Sequence, residues 1–261
     1  MTTFRFLMVF CLISAGCSAR APDAANELVN EAVPVPINRH IVVTAKDGVK
    51  LFGTHYQGNG PPKALILLFH QAGSNKAEYA TIAPKLADAG YSVLAIDQRS
   101  GGKSFGVTNQ TVDALGKSSD YLAAKPDLEA AIAWAEDKKL PIIIWGSSYS
   151  AALTYLVAAE NPGRLRAALV FSGGDYLGAS RVPEAARKVT IPIFATSAKS
   201  EVAQMRPILE SVKSAKKIFF VPSGPGVHGS SILNPDKNPG GADEAWKAVL
   251  AFLDEVASNP A

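Results

Sequence analysis

The sequence predicts an α/β protein, a mostly parallel sheet of about eight strands flanked by helices on both faces. Three observations predict it. Short runs that are apolar throughout, such as Ala64–Phe69 (ALILLF) and Pro141–Trp145 (PIIIW), suit strands buried on both faces. Stretches with apolar residues at helical spacing separate these runs, which is the alternation of a parallel sheet. No composition break interrupts the alternation, so a single domain over residues 38–258 is expected.

The elements follow in order. His40–Ala45 and Lys50–Gln57 are rich in β-formers and flank the turn signal Lys46-Asp47-Gly48, so they form a hairpin at an antiparallel edge. After the strand at Ala64–Phe69, Tyr79, Ile82, Ala83 and Leu86 fall at i, i+3, i+4 and i+7, a helix that Gly90 closes. Tyr91–Ile96 is the next strand. Leu128, Ala131, Ile132 and Ala135 mark a second helix, ahead of the strand at Pro141–Trp145. Ala151–Ala159 is helical, and Leu165–Phe171 and Ile191–Thr196 are strands. Val202–Val212 is a helix that Pro207 kinks or restarts. Lys217–Val221 is the last strand, and the last helix carries Ala245, Val249, Phe252, Leu253 and Val256 on one stripe.

Composition narrows the function. With 261 residues, 48% hydrophobic and 19% charged, the chain can bury a sizeable core, and a mostly disordered chain is excluded. The net charge of +3 is spread with no basic block longer than a pair, so no nucleic-acid partner is expected. Both cysteines, Cys11 and Cys17, lie near the N-terminus. The rest of the chain has no thiol for a disulfide framework, a thiolate metal site or a catalytic cysteine. No His/Asp/Glu cluster has metal-ligand spacing, and Gly102-Lys103-Ser104 lacks the first glycine of a phosphate loop, Asp97 standing in its place. Neither a metal nor a cofactor is expected.

The N-terminal segment reads as an export signal. Arg5 precedes a short apolar run, Phe6–Ile13, too short to span a bilayer, and Ser14, Ala15, Gly16 and Cys17 follow. Residues 1–17 resemble a bacterial lipoprotein signal, which implies that Cys17 is lipidated and becomes the mature N-terminus. Ser14 stands where such signals usually carry Leu. Cleavage at or beyond Ala19, giving a soluble secreted form, is the competing expectation, and a buried N-terminal helix a third. Residues 18–37, with Pro22, Pro34 and Pro36, read as a flexible tether. The expected location is the cell envelope or beyond, with the membrane a partner through the lipid.

The most informative stretch is Ile144-Trp145-Gly146-Ser147-Ser148-Tyr149-Ser150. A buried strand stops, a helix starts, and small residues stand two before and two after Ser148. A nucleophile on so sharp a turn needs those small neighbours, because strand and helix approach closely. Ser147 is the rival nucleophile, but its frame would put Trp145 and Tyr149 at the small positions. Gly-Ser-Ser-Tyr-Ser resembles the G-x-S-x-G elbow of the α/β-hydrolase family, with Ser150 in place of the last glycine. A turn that merely caps a helix is the bland alternative.

The resemblance implies the rest of a triad. The chain has four histidines: His40 and His55 on the hairpin, His70 after the third strand, and His228 after the last. The family carries its base in the last of these loops, which implies His228. The family's acid follows the strand opened by a proline, and Pro192 through Glu201 laid on that pattern implies Glu201. Asp175, after the preceding strand, is the alternative acid. The resemblance also implies an oxyanion hole made by the amide of Tyr149 and that of Ala72, with Gln71 second to Ala72. Gln71 is also a candidate for lining the acyl pocket. The turn Asp97-Gln98-Arg99-Ser100-Gly101-Gly102 resembles the family's D-x-R-G-x-G turn, with Arg99 paired to carbonyls or carboxylates.

The likeness covers His40 to Val256 and is nearest the dienelactone-hydrolase-like and small-esterase branch. It implies an α/β-hydrolase fold with little or no cap, because the stretch between Phe171 and Ile191 is too short for a helical lid. The activity implied is hydrolysis of small or soluble carboxylic esters. A peptidase or amidase of the same fold, and an envelope lipoprotein that binds ligands without turnover, are the alternatives.

Overall fold

Every parallel strand opens its helix at one edge of the sheet, and that edge gathers the candidate residues. The computed structural model describes residues 1–3 and 37–258. Residues Pro34–Ala261 make one compact unit, and residues 1–33, of which the first three are described, make another. The signal segment, Cys17 and nearly all of the tether lie outside the described residues.

Eight strands form a single sheet in the order β1-β2-β4-β3-β5-β6-β7-β8. They are β1 (Ile37–Thr44), β2 (Lys50–Gln57), β3 (Leu65–Phe69), β4 (Ser92–Ile96), β5 (Ile142–Ser147), β6 (Ala167–Phe171), β7 (Ile193–Thr196) and β8 (Lys217–Phe220). β1 pairs antiparallel with β2 and β2 antiparallel with β4; all other pairs are parallel. The hairpin turn works because Gly48 takes φ +84°, which a glycine adopts without strain. Helices α1 (Ala83–Asp88) and α7 (Ala242–Ser258) cover one face, and α3 (Lys125–Glu136), α4 (Tyr149–Glu160), α5 (Arg181–Ala186) and α6 (Val202–Glu210) the other. α2 (Gln110–Leu115) lies in the excursion after β4.

The apolar runs make the strands because both faces need side chains. Residues 65–69, 92–96 and 142–145 are all buried. On the α1/α7 face Trp145 stacks on Phe171 at 4.4 Å between ring centres, and Phe194 meets Phe252 at 5.6 Å. The first pair joins β5 to β6 and the second packs the sheet against α7.

The first expected helix differs. Residues 76–79 form a 3₁₀ turn, and α1 starts only at Ala83. Asn75 caps the turn by accepting from the Ala77 amide at 2.9 Å, and Pro84 sits in the first turn of α1. Tyr79, Ile82, Ala83 and Leu86 are nevertheless all buried, so the spacing identified the face and the caps decided where the hydrogen bonds run. α2 and α5, six residues each, were not expected from periodicity. Pro207 lies inside α6.

The carboxyl edge of the sheet holds Phe69, Ser147, Phe171 and Thr196 in register, with Phe69 opposite Gly146 and Phe171 opposite both Ser147 and Thr196. The loops that leave these ends carry Gln71, Ser148, Ser172 and Glu201. In open α/β sheets this is where ligands bind.

Candidate active site

β5 ends at Ser147 and α4 begins at Tyr149, so Ser148 alone makes the turn. Its φ is +60° and its ψ −122°, a conformation that costs a non-glycine residue about 1–3 kcal/mol. The surroundings impose it. The Ser148 amide donates to the Phe171 carbonyl at 2.8 Å, while its own carbonyl accepts from Ala151 at 2.9 Å and opens the helix. A Cβ on Gly146 would lie 2.4 Å from the Ser150 carbonyl oxygen, so no other residue fits there without moving backbone.

Ser150 does more than be small. Its hydroxyl donates to the His70 carbonyl at 2.5 Å and accepts from Gln98 Nε2 at 3.0 Å. The elbow is thereby tied to the loops after β3 and β4. Size was legible in the sequence; this second use was not.

His228 precedes a 3₁₀ turn, Gly229–Leu233, in the connection between β8 and α7. Its Nδ1 is 2.5 Å from Glu201 Oε1. A carboxylate can only accept, so Nδ1 carries the proton and Nε2 is left with its lone pair. The loop packs against the elbow: the Ser230 amide donates to Ser147 Oγ at 3.0 Å. A Cβ on Gly229 would come within 2.6 Å of that same oxygen. The residues after His228 thus lie against the residue before Ser148.

Glu201 stands at the start of α6, and its second oxygen, Oε2, accepts from Ser172 Oγ at 2.6 Å. Ser172 also accepts from the Gly229 amide at 2.8 Å, joining the acid to the histidine loop. Like Ser148 it ends a strand at positive φ, +56°, with its amide donating to Thr196 O at 2.8 Å. Sequence reasoning missed Ser172; the small-residue stretch Ser172-Gly173-Gly174 after β6 is its only signal. Asp175 is not brought to His228: its Oδ1 faces the Val182 amide at 3.4 Å, near the start of α5.

The pair perturbs its own titration. The Glu201 hydrogen bond, against partial burial, holds the His228 imidazole above its ordinary value, and the charges of Glu201 and Glu78 add to this. Burial pushes Glu201 up, but the hydrogen bonds from His228 and Ser172 outweigh it and hold the carboxyl below its ordinary value.

Of the amides expected to face an oxyanion, those of Tyr149 and Ala72 have no hydrogen-bond partner among the described residues. Gln71 is a correction. Its amide donates to Glu78 Oε2 at 2.8 Å and is already committed. Its side chain does reach the site, Oε1 lying 3.7 Å from where a Gly229 Cβ would be.

The other histidines have different surroundings. His70 is fully buried, with Nε2 accepting from the Gln98 amide at 2.9 Å and Nδ1 2.8 Å from the Gln71 carbonyl. Burial pushes it down to about 4, so it is a neutral brace under the loop. His55 meets Ser92 Oγ at 2.7 Å, and burial lowers it also to about 4. His40 is exposed on β1. Arg99 in the turn after β4 binds Asp127 through its amide and Nε, both at 2.8 Å, and Asp47 through its guanidinium. Among the described residues no group of three or more His, Cys, Asp and Glu could hold a metal ion.

This strand order with a serine held on a strained turn after β5 defines an α/β-hydrolase. Residues 60–216 match the family described as serine aminopeptidase, S33, and the chain belongs to that family of hydrolases. The match includes Ser148 and Glu201 and ends before His228. The chain is similar to human monoglyceride lipase, 28% identical over 54% of this chain and 45% of the relative. The mouse monoglyceride lipase is 31% identical over 44% of this chain and 37% of its own length. The chain therefore spans less than half of the curated relatives it matches. A dienelactone hydrolase from Anabaena variabilis superposes with TM-score 0.66 at 19% identity, covering 85% of this chain and 99% of that one. A Pyrococcus furiosus esterase gives TM-score 0.66, also at 19% identity, over 85% and 94% of the two chains. At such identity these two likenesses speak for the fold.

Proposed function

We propose that this chain cleaves carboxylic esters of small or soluble substrates through an acyl-enzyme formed on Ser148. What supports the reading most is the 2.5 Å contact of His228 Nδ1 with Glu201, on a loop whose Ser230 amide bonds Ser147, the neighbour of the strained Ser148. Ser148 Oγ attacks the ester carbonyl while His228 Nε2 takes its proton. Glu201 orients the ring through Nδ1 and balances the imidazolium charge. The oxyanion rests on the amides of Tyr149 and Ala72 at the positive end of α4. The imidazolium then protonates the leaving alcohol, whose bond to the acyl carbon breaks. Water, deprotonated by the same nitrogen, attacks the acyl-enzyme; the acid departs and Ser148 recovers its proton.

The preference for small substrates is supported by the connection from β6 to β7, where the six-residue α5 is the sole helix. The family description favours a second reading, amide cleavage next to a free amine, with the same residues in the same roles. Turnover of p-nitrophenyl esters of graded chain length against aminoacyl amides separates the two. A fluorophosphonate probe should label Ser148, and Ser148→Ala should abolish both labelling and p-nitrophenyl acetate turnover. A wild-type chain that neither labels nor turns over would overturn the hydrolase reading and leave ligand binding alone. Export with a lipid on Cys17 belongs to the same proposal, supported by the short apolar run before it. Mass spectrometry of the mature N-terminus tests it.

A further inference from the structure

The mechanism leaves one buried acid without a task. Glu78, in the 3₁₀ turn Lys76–Tyr79, is 6% exposed. Oε2 accepts the Gln71 amide at 2.8 Å, while Oε1 has no hydrogen-bond partner among the described residues. The turn that carries it is anchored independently of the loop it touches. Lys76 donates its amide to Asp97 Oδ1 at 2.7 Å, Asn75 Nδ2 donates to the Ser104 carbonyl at 3.0 Å, and Tyr79 donates its hydroxyl to the Phe69 carbonyl at 2.7 Å. No Lys or Arg among the described residues forms an ion pair with Glu78. Burying a carboxyl without a cation is costly, and an apolar residue would fill the space more cheaply.

Backbone geometry shows what the cost secures. Each peptide unit is planar, with its C=O and the following N–H pointing opposite ways. The unit joining His70 to Gln71 is held at both ends, its carbonyl by Ser150 Oγ and its N–H by Glu78. The carbonyl of the next unit is held by the His70 ring at 2.8 Å and the Ser74 amide at 3.2 Å. That leaves one free end, the Ala72 N–H, aimed away from those ties. We propose that Glu78 is a positioning residue: by drawing the Gln71 amide inward, it turns the Ala72 amide toward the carbonyl that reacts on Ser148. Burial pushes the Glu78 carboxyl up, with the Ser147 hydroxyl and the Gln71 amide acting against that shift. The role requires an acceptor oxygen at this place and does not require a charge.

This inference rests on the hydrolase reading, and its test separates the two. Glu78→Gln keeps an acceptor for the Gln71 amide; Glu78→Leu keeps the volume and removes it. Losing an oxyanion donor costs about 10²–10³-fold in kcat, so Glu78→Leu should fall about 10²-fold with KM within about twofold. Glu78→Gln should stay within about threefold of wild type on the same scale. Hydrogen exchange at the Gln71 amide should quicken in Glu78→Leu and remain slow in Glu78→Gln. Should Glu78→Leu not fold, Glu78→Asp, one methylene short of the amide, takes its place with the same expectation. A loss in Glu78→Gln equal to that in Glu78→Leu would overturn the proposal, as would wild-type kcat or unchanged Gln71 exchange in the variant without the acceptor. The exchange measurement holds even for a chain that turns over no ester.

Discussion

Gly146→Ala adds one methyl group between β5 and α4, where the backbone leaves no room for it. The new Cβ would lie 2.4 Å from Ser150 O and 2.5 Å from Ala151 N, where ordinary contact begins at 3.4 Å. Both struck atoms are backbone, so no rotamer change relieves them, and strand and helix must part by about 1 Å. Overpacking of this kind costs about 1–3 kcal/mol. For a domain of this size that lowers Tm by about 2–12 °C. The larger effect falls on Ser148, which joins the two elements and keeps its conformation through the 2.8 Å bond to Phe171 O. A displacement of about 1 Å at a reacting atom costs about 10²-fold in rate. The assay is kcat/KM for p-nitrophenyl acetate with the rate of fluorophosphonate labelling, alongside thermal melts by circular dichroism. Gly163→Ala, which meets nothing within 4 Å, is the control and should change neither. Wild-type turnover, labelling and Tm in Gly146→Ala would refute the claim that close strand–helix contact holds Ser148 in place.

The remaining expectations concern charge. In the proposed mechanism His228 takes a proton only when neutral, and it is held above its ordinary value, so kcat/KM should rise with pH through a midpoint above about 6.5. Glu201→Gln should move that midpoint down and lower kcat by about 10⁴-fold, as when a triad acid is replaced by its amide. Asp175→Asn should do neither, and the reverse pattern would reassign the acid. In stability the depressed Glu201 contributes above the ordinary carboxylate pKa, and this is lost as pH falls through its lowered value. The raised His228 contributes below the ordinary imidazole pKa, and this fades as pH rises through its raised value; urea titrations across pH read both. Asp127→Ala leaves the Arg99 guanidinium, 9% exposed, without its buried partner and should cost about 3–5 kcal/mol in urea unfolding. A loss under about 1 kcal/mol would mean that Asp47 alone suffices for Arg99.

The strands were legible because their signal is local. A segment buried on both faces must be apolar at every position, and Leu65–Phe69 or Ile142–Trp145 carries that demand wherever the rest of the chain goes. α2 left no such mark: it is six residues long, capped by Asn109 and closed by Gly116 at φ +76°, with a single buried residue, Thr111. Likewise α1 starts where a cap and Pro84 allow, not where the apolar spacing begins.

By itself the sequence determined the strands, the longer helices and the turn at Ser148, since burial periodicity and the demand for small neighbours are properties of a few consecutive residues. Tertiary structure alone decided that Glu201 and not Asp175 meets His228, that Ser172 links the two, and that Glu78 claims the amide of Gln71. Those partners sit on separate loops that meet because neighbouring strands end at one edge of the sheet. A hydrogen bond tolerates only a few tenths of an ångström in length, and that distance is set by how the loops pack rather than by the spacing of residues along the chain.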